Sequence, residues 1–151
     1  MNHVFSSRRA ALVGLLGLAG LAASPVLADT APTVEVWKSA YCGCCGGWIS
    51  HMRKAGFTVI SHDVEDMTPI KTANGVSDAL ASCHTARVAG YVVEGHVPAA
   101  DIRRLLAERP AVTGLTAPGM PAAAPGMDGD PEPYDVLSFD QNGRTSVWAK
   151  H

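Results

Sequence analysis

Apolar and polar positions alternate over Thr33-Val34-Glu35-Val36-Trp37, which predicts a first strand with one buried face. Trp48, Met52 and Ala55 then recur at helical spacing, and Gly56 follows as a stop. Residues 57–64, Phe-Thr-Val-Ile-Ser-His-Asp-Val, predict a second strand. Thr68-Pro69 reads as an N-cap with proline at the first helical position, opening a helix that ends near Gly75. Residues 76–85 form a connector. Arg87 to Glu94 predicts a tight hairpin with Ala89-Gly90 in its turn, and a helix opens at Pro98 with the stripe Ile102, Leu105 and Leu106 and ends before Pro110. From Ala111 to Pro133 the chain is rich in Pro, Gly and Ala without periodicity, so a long loop is expected there, of the kind that often carries function. Residues 134–139 and 145–148 flank Asn142-Gly143, a strong hairpin signal.

The start of the chain has a different character. Arg8-Arg9 precede an apolar run from Ala10 to Ala23, followed by Val26-Leu27-Ala28 with small residues where a signal peptidase reads. The run is shorter than the roughly 20 residues a membrane-spanning helix needs. Residues 1–28 are therefore expected to be a signal peptide cleaved after Ala28, exporting residues 29–151 as a single domain to the periplasm, with no membrane attachment afterwards. Ser6-Ser7-Arg8-Arg9 leaves twin-arginine and ordinary export both open. The chain carries 12 basic and 14 acidic residues; losing Arg8 and Arg9 leaves 10 against 14, a net of −4. With no basic patch, nucleic acid is not an expected partner.

Export places all four cysteines, Cys42, Cys44, Cys45 and Cys83, in an oxidising compartment. Their spacing suits a structural framework poorly, because bridges between near neighbours close loops too short to restrict the unfolded chain. Three of them lie in Tyr41-Cys42-Gly43-Cys44-Cys45-Gly46-Gly47-Trp48, between the first strand and the head of the helix. Free backbone N–H groups and the helix dipole favour negative charge there, and thiolate is the form that binds metal or attacks a disulfide. Soft thiolates select Cu(I), zinc or iron–sulfur clusters. Three sulfurs crowded into one turn suit sulfur-bridged Cu(I) better than a tetrahedral zinc site, whose ligands are usually spread over two knuckles. A structural disulfide with a spare thiol is the alternative. The Cys42–Cys45 pair after a strand and at the head of a helix is also the thioredoxin-like arrangement. The order of elements then predicts an α/β, thioredoxin-like sandwich with an added C-terminal methionine-containing loop and hairpin. In such a fold the loop entering the third strand passes over the Cys-x-x-Cys turn, so Cys83 should lie within a few ångströms of the other sulfurs and nearer to them than any histidine nitrogen; otherwise it is an inert buried cysteine.

Other donors give weaker signals. His51 lies seven residues after Cys44, about 10.5 Å along a helix, too far to share an ion. His84 should point away from its neighbour Cys83 in an extended chain and act as a local hydrogen-bonding residue. His62 and His96 are expected at the surface. Met120 and Met127 are candidate additional copper donors, since thioether sulfur suits Cu(I), or simply gap-fillers.

Four segments together carry a resemblance. Residues 41–48, Leu80-Ala81-Ser82-Cys83-His84-Thr85, residues 90–98 and Pro118-Gly119-Met120-Pro121 are similar to the CopG-type periplasmic proteins over nearly the whole exported chain. The resemblance implies a thioredoxin-like fold and a role in copper handling and resistance, with copper ions, one or several, held by Cys42, Cys44, Cys45 and Cys83, and other periplasmic copper-handling proteins as partners. A resemblance to thioredoxin itself is weaker. Gly43-Cys44 stands where thioredoxins have Gly-Pro, and no proline lies beside Cys83. The expected function is a periplasmic Cu(I)-binding protein for sequestration or delivery. The rival is a thiol–disulfide or copper oxidoreductase, with Cys42 attacking and Cys45 resolving.

Overall fold

The computed structural model describes residues 31–151. The expected signal peptide and its cleavage site lie outside the described residues. Seven strands and three helices follow one another as β1 (Thr33–Lys38), α1 (Gly43–Lys54), β2 (Thr58–Asp63), α2 (Thr68–Ala73), β3 (Thr85–Val88), β4 (Tyr91–Glu94), α3 (Ala99–Glu108), β5 (Gly114–Thr116), β6 (Asp135–Phe139) and β7 (Thr145–Lys150). They build one mixed sheet in the order β2-β1-β3-β4-β5-β6-β7. Strand β1 runs parallel to β2 and antiparallel to β3; β4 is antiparallel to β3 and parallel to β5. No described helix is long and apolar enough to cross a membrane.

The alternation read in β1 places Val34 and Val36 fully buried. They meet Val59 of β2, Trp48, Ile49 and Met52 of α1, and Ile102 and Leu105 of α3 in the main core, so both longer helices cover one face of the sheet. On β4 the period of two sends Val93 into this core and Val92 to the other face, where it packs with Val76, Leu80 and Phe139. The connector after α2 therefore has its own small apolar base. Helix α1 ends at Ala55 with Gly56 at φ +87°, a conformation glycine adopts without steric cost. The β3–β4 turn has positive φ at both Ala89 and Gly90, the pattern of a type I′ hairpin. Helix α2 is only six residues long, and the orphan Thr68 N–H is taken by Asp66 Oδ1 at 2.8 Å, so Asp66 rather than Thr68 supplies the capping oxygen.

The expected loop over 111–133 contains a strand. Gly114-Leu115-Thr116 is fully buried as β5 and pairs with β4 in parallel, in register Val92↔Gly114 to Glu94↔Thr116. Three residues buried on both faces have no alternation to reveal them. What fixes them is α3, which returns the chain for a parallel pairing, and Gly114, whose missing side chain lets Val92 approach. The C-terminal hairpin forms as expected, but β6 pairs with β5 and so extends the sheet.

Candidate metal centre

The topology gathers the chemistry at one end of the sheet. Strands β1, β4 and β5 point the same way, and β3 runs against them. The C-terminal end of β1, leading to Cys42, therefore lies beside the N-terminal end of β3, entered from Cys83. Next come the C-terminal ends of β4, leading to His96, and of β5, leading to the methionine loop.

Cys42 is the N-cap residue of α1 and makes no side-chain capping bond; Cys44 and Cys45 stand in the first turn. Cys45 is fully buried, and Cys42, Cys44 and Cys83 are partly exposed. The four sulfurs lie within 4.8 Å of one another. Cys42 and Cys45 are joined in a disulfide, Cys44 and Cys83 are free thiols, and Cys44 Sγ lies 3.6 Å from Cys42 Sγ. Burial, reinforced by the neighbouring Cys44, pushes the Cys83 thiol up to about 12. A bound cation would reverse that balance, because a metal stabilises the thiolate it ligates.

Cys83 is held by a polar network beneath it. Glu94, fully buried, accepts the backbone N–H of Ser82 at 2.7 Å and the Thr85 hydroxyl at 2.6 Å, and is ion-paired with Lys71. Burial raises the Glu94 pKa, with Lys71 and the hydrogen bonds opposing. Thr116 Oγ1 donates to Leu80 O at 2.7 Å, tying the same loop to β5.

Two histidines stand beside Cys83, against expectation. His96 is fully buried, not a surface residue; its Nε2 lies 3.0 Å from Cys83 Sγ and its Nδ1 2.7 Å from the carbonyl of Pro125. His84 is also fully buried, with Nδ1 3.3 Å from Cys83 Sγ. The chain bends at Cys83 instead of running extended, which puts these neighbours on one side. Burial lowers both histidine pKa values, His84 to about 3 with help from His96 and Lys71, so both rings are neutral at pH 7. The position of His96 just after β4 could have flagged it, since that strand end adjoins the cysteine turn. His51 plays a structural part: its Nε2 accepts the Ala99 N–H at 3.1 Å, at the head of α3. His62 is the surface residue expected, half-exposed and 2.8 Å from Glu35.

The methionine loop lies over this end of the sheet. Gly119 N–H donates to Ala81 O at 3.0 Å, Ser82 Oγ donates to Gly119 O, and Pro125 O holds His96. Met120 is 60% exposed and Met127 partly buried, so the loop leaves Met120 largely open to solvent. Gly126, at φ +84°, packs directly on the backbone of Gly47 and Trp48 in α1. A Cβ on Gly126 would meet Trp48 N and the Gly47 carbonyl carbon, and one on Gly47 would stand 2.7 Å from Gly126 O. Gly126→Ala should therefore cost about 2 to 4 kcal/mol, from left-handed backbone strain plus the clash. It should lower the melting temperature by roughly 10 °C and speed amide exchange over residues 119–129. An unchanged melting temperature would show that the loop is not seated as described.

Comparison with known proteins follows the geometry. A family model described as "Protein of unknown function, DUF411" matches residues 80–127. A comparison with curated proteins gives no match. Two solved structures are similar: copper resistance protein CopG in form 2, at 41% identity over 80% of this chain and 98% of that one, TM-score 0.76; and form 1, at 43% identity over 79% and 96%, TM-score 0.74. On that identity and near-complete coverage, the chain belongs to the CopG family of copper resistance proteins.

Proposed function

We propose that this protein is a periplasmic copper-binding protein in copper resistance, holding Cu(I) on Cys42, Cys44, Cys45 and Cys83, with room for more than one ion bridged by sulfur. The observation that carries the reading is the convergence of four sulfurs within 4.8 Å, three from one helical turn and one from a distant loop. Soft, closely spaced thiolates favour Cu(I), and bridging lets adjacent sulfurs serve neighbouring ions. The family supplies the copper context, and the strand order β2-β1-β3-β4 with the βαβ unit and following hairpin supports a thioredoxin-like core. Met120 and Met127 serve as auxiliary thioether donors as copper passes in or out.

The test is a competition under reducing, anaerobic conditions. Equal Cu(I) and zinc are offered to residues 29–151, and bound metal and free thiols are counted together. Copper bound with all four thiols protected is the expected result; one zinc per chain and no copper would refute the reading.

The Cys42–Cys45 disulfide favours a second reading, a thiol or copper oxidoreductase in which this pair cycles between dithiol and disulfide, with Cys42, the more accessible sulfur, attacking. When the reduced protein is instead offered Cu(II) anaerobically with no added reductant, the loss of two thiols as a disulfide for every two Cu(II) reduced to Cu(I) would favour it.

A further inference from the structure

We propose that two copies of this chain pair edge to edge through β2, antiparallel and centred on Ser61, so that two seven-stranded sheets join into one. The proposal stands apart from the four-cysteine reading. Strand β2 ends the sheet, and among the described residues no strand pairs with its outer side. Thr58 N–H donates to Pro32 O at 3.1 Å and Val64 N–H to Lys38 O at 2.9 Å, which fixes the phase of the ladder with β1. Thr58, Ile60, His62 and Val64 therefore turn their backbone groups inward, and Val59, Ser61 and Asp63 turn theirs outward. A row of outward N–H and C=O groups is a template for a further strand.

Charge selects both the occupant and the register. Arg53 guards one end of this edge, with Nη2 donating to Val59 O at 3.2 Å. Asp63 stands at the other end, its side chain 59% exposed, with Lys38 Nζ 2.5 Å away on its own sheet. A two-fold axis at Ser61 sets Val59 opposite the second copy's Asp63, which brings each Arg53 to the other copy's carboxylate. An axis at Val59 would bring the two arginines together, and an axis at Asp63 would oppose the two aspartates; like charges placed so are unfavourable. About Ser61 the edge is complementary to itself, as an isologous contact requires.

The same register covers exposed apolar surface. Ile60 is 49% exposed, on the face of the sheet opposite to the buried Val59. On that face His62 stacks on Trp37 at 5.5 Å between ring centroids and lies 2.8 Å from Glu35. With Ser61 on the axis, Ile60 stands opposite the second copy's His62 in a non-hydrogen-bonded pair, where side chains approach most closely. Each Ile60 is then covered by a ring already held in place. The opposite edge is less suited, since the β6–β7 pairing is irregular at Val136/Leu137 and Arg104 Nη2 caps Trp148 O at 2.6 Å. Antiparallel pairing also sends the two cysteine turns to opposite ends of the joined sheet, so both stay open.

Sedimentation of residues 29–151 over a range of concentrations tests this. A reversible dimer with a micromolar dissociation constant, weakened by salt, is the expected result. Arg53→Glu and Asp63→Arg should each weaken self-association roughly tenfold, because each sets like charges together at both ends of the two-fold contact. Mixed, the two variants should associate with each other about as tightly as the wild type, since every position 53 again faces an opposite charge at position 63. Ser61→Pro removes the outward N–H on the axis and should abolish the dimer, with circular dichroism to confirm the fold. The mixture of charge variants decides even if Ser61→Pro fails to fold. A wild-type chain that stays monomeric up to millimolar concentration would overturn the proposal, as would charge variants that do not pair when mixed, or a dimer indifferent to a folded Ser61→Pro. Copper binding by the reduced protein is a separate measurement, and its outcome leaves this one untouched.

Discussion

Replacing Cys83 with serine should lower the number of Cu(I) ions held by the reduced protein and weaken those that remain by about a hundredfold, close to 3 kcal/mol, without unfolding the chain. Cys42, Cys44 and Cys45 share one helical turn, and Cys83, 38 residues after Cys45, is the one thiol the fold brings to them from elsewhere. A serine hydroxyl is a hard oxygen donor and a poor substitute for thiolate toward Cu(I). The fold should tolerate the change because Cys83 is partly exposed and its loop is fixed through Ser82 N–H and Leu80 O. Anaerobic titration with a competing chelator gives affinity and stoichiometry, and circular dichroism checks the fold. A serine variant with unchanged copper would locate the site in the Cys-x-Cys-Cys turn alone.

Lys71→Met should destabilise the protein by about 3 to 5 kcal/mol at pH 7, the largest loss of stability expected from a single change here. Glu94 is fully buried and Lys71 is its charge partner, with a side chain 17% exposed. Methionine keeps much of the length of lysine but leaves the carboxylate buried without its cation. The pH dependence follows from the raised Glu94 pKa. A carboxyl whose pKa is higher folded than unfolded gains stability as pH falls, fully so below the ordinary value near 4.5, and loses it as pH rises through the folded value. The gap between variant and wild type should thus be widest at neutral pH and narrow as Glu94 takes up a proton. Denaturant melts at several pH values measure it, and a gap independent of pH would mean that Glu94 is not the group left unpaired.

Much of this architecture was legible because its signals are local. The alternation in β1, the Asn142-Gly143 turn, and the stripe of α3 each lie within a dozen residues. The cysteine turn was legible for the same reason. Strand β5 was not, since three residues buried on both sides carry no period and owe their state to pairing with β4. His96 was misread as a surface residue because nothing in Gly95-His96-Val97 discloses that Pro125, 29 positions later, will cover it. His84 was expected to turn away from Cys83 on the assumption of an extended chain, and the bend there is imposed by Glu94 and Thr116 reaching in from other strands.

The contact of Gly126 on Gly47 joins positions 79 apart in the chain, and the loop that makes it also supplies the carbonyl that orients His96. The cysteine turn is synthesised early and could meet copper as soon as it emerges, but a finished pocket exists only after the last third of the chain has settled over it. If copper is held as proposed, its retention would depend on completed folding. A ligand that binds only the finished state adds its binding free energy to the stability of the whole. Copper would therefore act on this protein as a late fastener, and a partly folded or clipped chain would hold copper only loosely.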